Sequence, residues 1–335
     1  MTDLSAKLFK PDTGSGVALR SHIGASFAGS LEHIFAACAP HIELDSDRCS
    51  ALVNRLRSGS REMPWLFSLH FRLIDEINQD RLDQAAAIIA KLTGVAEAKT
   101  GVATLCLGED ALPFGEDTTL DYFRIEEGGY VLEPPIRDDA VTMRANIAIA
   151  LDYLRDVSPG LANELEEIIT AIFVVRGVAA SQEYAGEKDF EGVSALRAFG
   201  GIVCNAKPDY SIAACALVLV HEHAHNVLFA LSPLQGVVTN ADDELYSSPL
   251  RIDPRPMEGI LHATFVLARM IYWLELMRRA KPADSSDVQY ANKMLKDLTP
   301  RYYEGVETIN RYGKLTDQGR LAMAQAAQFM GSRTA

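Results

Sequence analysis

The sequence is short of what several function classes require. Its 335 residues include only five cysteines, Cys38, Cys49, Cys106, Cys204 and Cys215, with no CxxC pair. An odd, irregularly spaced set excludes a disulfide framework and a thiolate-rich zinc ribbon, and fits reduced thiols. Small buried side chains are the expected role of Cys204 and Cys215, beside the motif described below. Positive charge is also scarce: 32 Lys plus Arg stand against 45 Asp plus Glu, a formal charge of -13, and no Lys/Arg block occurs. Phosphate backbones need basic patches, so no nucleic-acid partner is expected. Residues 1–20 hold no apolar run of signal-peptide type, so a cytoplasmic location is expected. The longest apolar stretches, 212–231 and 260–277, carry histidine and charged residues and read as buried amphipathic helices, with no membrane partner expected. Histidine is rare too. There are eight, and none lies between His70 and His221.

What is present is patterned. A chain of this length can bury a large core in one or two domains. From about Ser21 to Val95 the spacing is helical, clearest over 61–79, where Trp65, Leu66, Leu69, Phe71, Leu73, Ile74 and Ile77 recur at turns of a helix. Val102 to Leu107 is a β-type run. Tyr122 to Ile125 and Tyr130 to Leu132 flank a Gly-Gly pair, which predicts a hairpin. Val141–Val157 and Leu161–Thr170 read as helices, and Ala171 to Arg176 as a buried strand. Phe199 to Cys204 reads as a second strand. Asp209 or Ser211 caps a helix running to about Leu231, stopped by Pro233. After a turn-rich loop come a long helix over 257–279 and helices over 285–298, 302–310 and 316–330. The expected fold class is α+β, mainly helical. A helical region over 1–100 is expected to precede a catalytic region over 101–335, with one continuous domain as the alternative.

The apolar run Ala213–Leu231 is interrupted by His221-Glu222-His223-Ala224-His225. Residues i and i+4 share a helix face, so His221 and His225 can bind one ion, with Glu222 beside them to move a proton. Neutral imidazoles suit zinc, iron or copper and suit magnesium or calcium poorly. Polar groups without partners in an apolar run cost stability, which argues against a chance match. His223, two positions from each, faces elsewhere and is expected at the surface or behind the ligands. His262, on the following long helix, or Glu258, four residues earlier on the same face, would complete the site. His262 is the preferred candidate; Glu258 would also suit a helix N-terminus without any metal. The order of strand, metal helix, loop and ligand helix is that of a zincin-like core with a small sheet, an analogy of fold only.

The loop before that helix, Tyr246-Ser-Ser-Pro-Leu-Arg-Ile-Asp-Pro-Arg-Pro256, brings Arg251 and Arg255 close to the third ligand. Either arginine could grip a carboxylate of a co-substrate or peptide, or pair with Asp253 and shape the loop.

The combination of HEHAH with Pro249-Leu-Arg251, Asp253-Pro-Arg-Pro256 and Leu261-His262-Ala263 resembles the HExxH-motif peptide-modification proteins encoded beside ribosomally made, post-translationally modified peptides. The resemblance covers about residues 200–280. Leu250 stands where many members have Trp, and Ala263 where many have Gly. The resemblance implies an iron(II)- and 2-oxoglutarate-dependent hydroxylase acting on a side-chain β-carbon of a precursor peptide. It implies His221, His225 and His262 as iron ligands, and Arg255 or Arg251, with Tyr246, at the 2-oxoglutarate site. Glu222 would relay protons rather than act as a peptidase base. The alternative from the bare motif is a zinc metallopeptidase with Glu222 as general base. The sequence carries no signal for oligomeric state.

Overall fold

The computed structural model describes residues 11–126, 130–179, 190–207, 209–250 and 253–332. In chain order the elements are α1 Thr13–Cys38, α2 Ser46–Arg57, α3 Pro64–Asn78, α4 Leu82–Thr93, β1 Ala103–Cys106, α5 Glu116–Glu126, β2 Tyr130–Glu133, α6 Arg137–Val157, α7 Pro159–Ile168 and β3 Ala171–Ala179. There follow β4 Gly192–Val193, β5 Gly201–Asn205, α8 Ile212–Leu231, β6 Leu245–Tyr246, β7 Arg255–Pro256, α9 Met257–Ala280, α10 Ser286–Tyr312 and α11 Asp317–Ser332. The class is α+β and mainly helical, with a small mixed sheet. The chain forms two compact units, each made of non-adjacent segments.

One unit comprises residues 16–146 and 166–209 and holds the sheet. Strands β1, β3 and β5 are parallel, in the register Ala103↔Ala171↔Gly201, while β4 and β2 join antiparallel at β5 and β3. The first five residues of β3 are buried, as expected of an apolar run in the middle of a parallel sheet. Ala171, Phe173 and Val175, on one face of the strand, pack with Phe123, Leu120, Leu132 and Val203 in one core. The expected hairpin is not formed. Tyr122 to Arg124 lie in α5, where Glu116 and Asp117 favour the helix N-terminus and Leu120 and Phe123, three apart, share a buried face. Only β2 of that pair is a strand, and it joins β3 instead. Helices α3 and α4 stand where helical spacing placed them. His70 of α3 is buried, with Ser30 Oγ 2.9 Å from its Nε2.

The other unit comprises residues up to Ser15, 147–165 and 210–335, and holds the HExxH helix. Ser211 caps α8 by accepting the Ala214 N–H at 3.2 Å, and the chain leaves the helix at Ser232, before Pro233. Both α8 and α9 are long and apolar enough to span a bilayer, but most of each is buried in protein. The helices expected over 285–298 and 302–310 are one, α10, which continues through Pro300. Proline inside a helix costs about 3 kcal/mol or more. Here Val288, Ala291, Leu295, Leu298, Tyr302 and Ile309 are buried along one face, on both sides of the proline. Burial at roughly 1.5–3 kcal/mol per large apolar side chain outweighs that cost.

Gly305 marks a close approach of α10 to α9. A Cβ there would strike the Thr264 hydroxyl and lie 3.1 Å from Thr264 Cβ. Alanine in a helix is favoured over glycine by about 1 kcal/mol, but overpacking a tight contact costs about 1–3 kcal/mol. Gly305→Ala is therefore expected to lower the denaturant midpoint, and a rise would show that the contact is loose. A pH effect follows from His70, whose imidazole burial pushes down to about 4. The unfolded ring takes up its proton near pH 6.5, so the native state loses stability as pH falls from there toward 4. By pH 4.5 this single group removes on the order of 2–3 kcal/mol. Urea melts of the wild type and His70→Gln at pH 7 and 4.5 should show a smaller pH loss in the variant.

Candidate metal centre

Helix α8 separates its three histidines onto two faces. From Cys215 to its end, every residue is buried except His221, His225 and Phe229, spaced i, i+4 and i+8. This stripe is the most exposed part of that stretch, and the His221 side chain is 29% exposed. Helix α9 packs on α8 and supplies the facing residues. His225 Nδ1 is 3.3 Å from His262 Nδ1, and His221 Nδ1 is 3.3 Å from Met270 Sδ. His262 and Met270 are eight residues apart and so share a face of α9. The pairing 221 with 270 and 225 with 262 makes the two helices antiparallel. Phe229 walls the far end, its ring centroid 6.3 Å from His225 and 5.6 Å from His262.

The His225 and His262 rings are nearly coplanar, 21° apart, with centroids 5.6 Å apart. That spacing exceeds the nitrogen–nitrogen distance by about two ring radii, so the two Nδ1 atoms face each other. Two nitrogens bound to one ion at about 2.0–2.1 Å and a tetrahedral angle stand about 3.3 Å apart. The separation matches that distance, and in the absence of an ion it is also that of an N–H···N hydrogen bond between two neutral rings. Burial holds both imidazoles below the ordinary histidine range, His262 at about 4, with His225 lowered further by His221 and His262. Both are neutral near pH 7, the form a metal needs. His221 is the outlying member: its ring centroid lies 5.1 Å from that of His225, with Nδ1 toward Met270. Among the described residues, no three His, Cys, Asp or Glu side chains already close round one point. The donor chemistry fits a borderline ion such as zinc or iron, with His221 the ring that must turn.

Glu222 is buried, with Oε1 3.9 Å from His221 Nε2. Glu258 has no hydrogen bond or ion pair to the histidines among the contacts of the described residues. Its Oε1 lies against Gly236, and burial followed by Asp242 raises its carboxyl pKa. Of the two expectations for His223, at the surface or behind the ligands, the surface one does not hold. The residue has no solvent exposure, and its Nε2 is 3.6 Å from Glu164 Oε1. Glu164 in turn pairs with Arg269 of α9 and accepts the Ser15 hydroxyl at 2.5 Å. Burial and the Arg269 charge keep His223 neutral. Sequence gave no sign of this cluster, because Glu164 is 59 positions from His223 and carries no motif.

The loop residues are placed less centrally. Arg255 is half-buried and its Nε is 2.8 Å from Asp253 Oδ2, the loop-shaping alternative. Tyr246 is paired with Arg255 in the β6–β7 ladder. Its hydroxyl donates to Glu244 at 2.8 Å, while Asn240 Nδ2 donates to the hydroxyl at 3.3 Å. Arg251 lies outside the described residues. Cys204 and Cys215 are buried, and burial pushes the Cys215 thiol up to about 12.

Because His262 faces His225, His262→Ala is expected to abolish stoichiometric binding of added zinc or iron(II), and Glu258→Ala to leave it intact. Metal content after dialysis against a weak chelator measures both, and the reverse pattern would make Glu258 the ligand. No family model matches the chain, and no curated protein matches it, so a functional reading has to come from these residues.

Proposed function

We propose that the protein is an iron(II)- and 2-oxoglutarate-dependent hydroxylase of peptide side chains, acting at a β-carbon, on a zincin-like arrangement of HExxH helix and ligand helix. The observation that carries the reading is the facing pair His225 and His262. It favours three imidazoles over the two-histidine, one-glutamate set of many zinc peptidases. His221, His225 and His262 would hold the ion. When bound, the ion would supply the oxygen chemistry that side chains cannot.

The chain's own residues would bind and orient. The stripe His221, His225 and Phe229 is the part of α8 open to a substrate. Phe229 gives the histidines an apolar wall that keeps water from one side. Arg255 is the candidate grip for the 2-oxoglutarate carboxylate, with Arg251 of the same loop as a second. Its present partner is a half-exposed ion pair, worth at most about 1 kcal/mol, so an incoming carboxylate could replace Asp253 at small cost. Tyr246 would act by holding the strand position of Arg255. Glu222 would move or hold a proton beside His221.

The second reading is a zinc metallopeptidase, favoured by one observation: the buried Glu222 carboxylate lies on the Nε2 side of His221, where a general base for a metal-bound water would sit. One experiment separates them. Protein purified without oxygen, loaded with iron(II) and given 2-oxoglutarate and air should form succinate, and His225→Ala should not. Zinc-dependent peptide cleavage with no succinate would replace the hydroxylase by the peptidase.

A further inference from the structure

We infer that the outer face of α6 is an interaction surface whose partner is a second copy of this chain, packed antiparallel across a two-fold axis through Ala145. Helix α6 buries Ala140, Met143, Ile147, Ala150 and Leu154 on one side. The opposite side is open, and between Asp138 and Asp152 its exposed residues are all uncharged: Val141, Thr142, Ala145, Ala148 and Ile149. A solvent-facing helix side is ordinarily charged or polar. Here Val141 is 59% exposed and Ile149 51%. Single exposed aliphatic residues need no explanation, but a row of them on one face does. Among the described residues, the exposed aliphatics Val17, Val131, Leu234 and Leu245 lie apart on other segments.

The spacing selects the partner. Val141 and Ile149 stand four residues to either side of Ala145. A two-fold axis there lays each Val141 on the Ile149 of the second copy, the self-complementary contact of an isologous dimer. Ala145 and Ala148 are small enough to let the helix axes approach to about 8 Å. Charges at the ends agree with this register. Arg137 comes level with Tyr153 of the second copy, between its Asp152 and Asp156, where the helix turn brings both acids within reach. Asp138 comes level with the second copy's Asp152, and Arg137 and the second copy's Arg155 flank that pair of acids. Asp152 is now held only by Arg155 of its own helix, in an exposed pair that is cheap to rearrange. One helix face is a small interface, so the dimer should dissociate on dilution. The surface and its test are independent of the metal reading.

The test uses the full-length protein in sedimentation equilibrium over rising concentration. The wild type should move from the mass of one chain toward that of two. Ile149→Glu should weaken association at least tenfold, while Leu234→Glu, which changes an equally exposed leucine elsewhere, should dimerise as the wild type does. Ala145→Cys treated with diamide should give a disulfide-linked dimer. The wild type should not, because its five cysteines are buried. A wild type of single-chain mass at every concentration overturns the inference and leaves the face to another partner. A dimer that Ile149→Glu leaves intact also overturns it, and failure of Ala145→Cys to cross-link overturns the two-fold axis. Circular dichroism checks that Ile149→Glu is folded. If it is not, the cross-link alone decides.

Discussion

Glu164 is a carboxylate with no solvent contact inside the helical unit, and its charge constrains everything packed around it. Burial pushes its pKa up, while Arg269, followed by the Ser15 hydroxyl, pulls it down. A buried pair of this kind adds little over apolar packing, but leaving one charge alone costs about 3–5 kcal/mol. That is a large part of a typical folding free energy of about 5–15 kcal/mol. The start of α1, helix α7 and helix α9 therefore have one good mutual seating. His223 brings α8 into the same cluster as a neutral ring, since a second positive charge beside Arg269 would be repelled without solvent to screen it.

This seating sets what the opposite side of α8 presents. With His223 turned inward, His221 and His225 lie on the stripe that remains open. With Arg269 turned toward Glu164, its neighbour Met270 comes to His221, and His262, two turns earlier on α9, comes to His225. The three histidines of HEHAH thus do two jobs, separated by the roughly 100° step between successive helical residues. One seats the helix and two lie on its partly exposed stripe.

Parts of this were readable before the fold was known, and the reasons differ. The limits of α8 followed from Ser211 and Pro233, which act on their own backbone neighbours. The pairing of His225 with His262 was anticipated because histidine is scarce and few candidates existed. The contact of His221 with Met270 was not, since methionine in an apolar helix looks like core whatever it touches. Nor was His223 with Glu164. Periodicity tells which face a residue occupies, and it cannot tell which distant element covers that face. The hairpin expected around Gly128-Gly129 failed for a related reason. Tyr122 to Ile125 is β-prone by composition, but acidic residues at the start of α5 and the Leu120–Phe123 spacing favoured a helix. At Pro300 a strong local stop signal lost to a buried face running the length of α10.

Two arginine–carboxylate pairs flank the histidine of α9, and their difference bears on the chemistry. Arg269–Glu164 is sealed from solvent, and neither partner can leave without exposing the other to a nonpolar interior. Arg255–Asp253 is half-exposed, with side chains 42% and 59% accessible. Water and counterions can replace either partner there, and so can a ligand's carboxylate. A motif fixes where an ion is held, but the reaction depends on which further charge is free to exchange near it. In a peptidase that group is a base beside the bound water, the position Glu222 occupies. In a keto-acid oxygenase it is a cation that will release one carboxylate for another. By its exposure, Arg255 can exchange its partner and Arg269 cannot, and this contrast, together with the facing of His225 and His262, supports the hydroxylase proposed above.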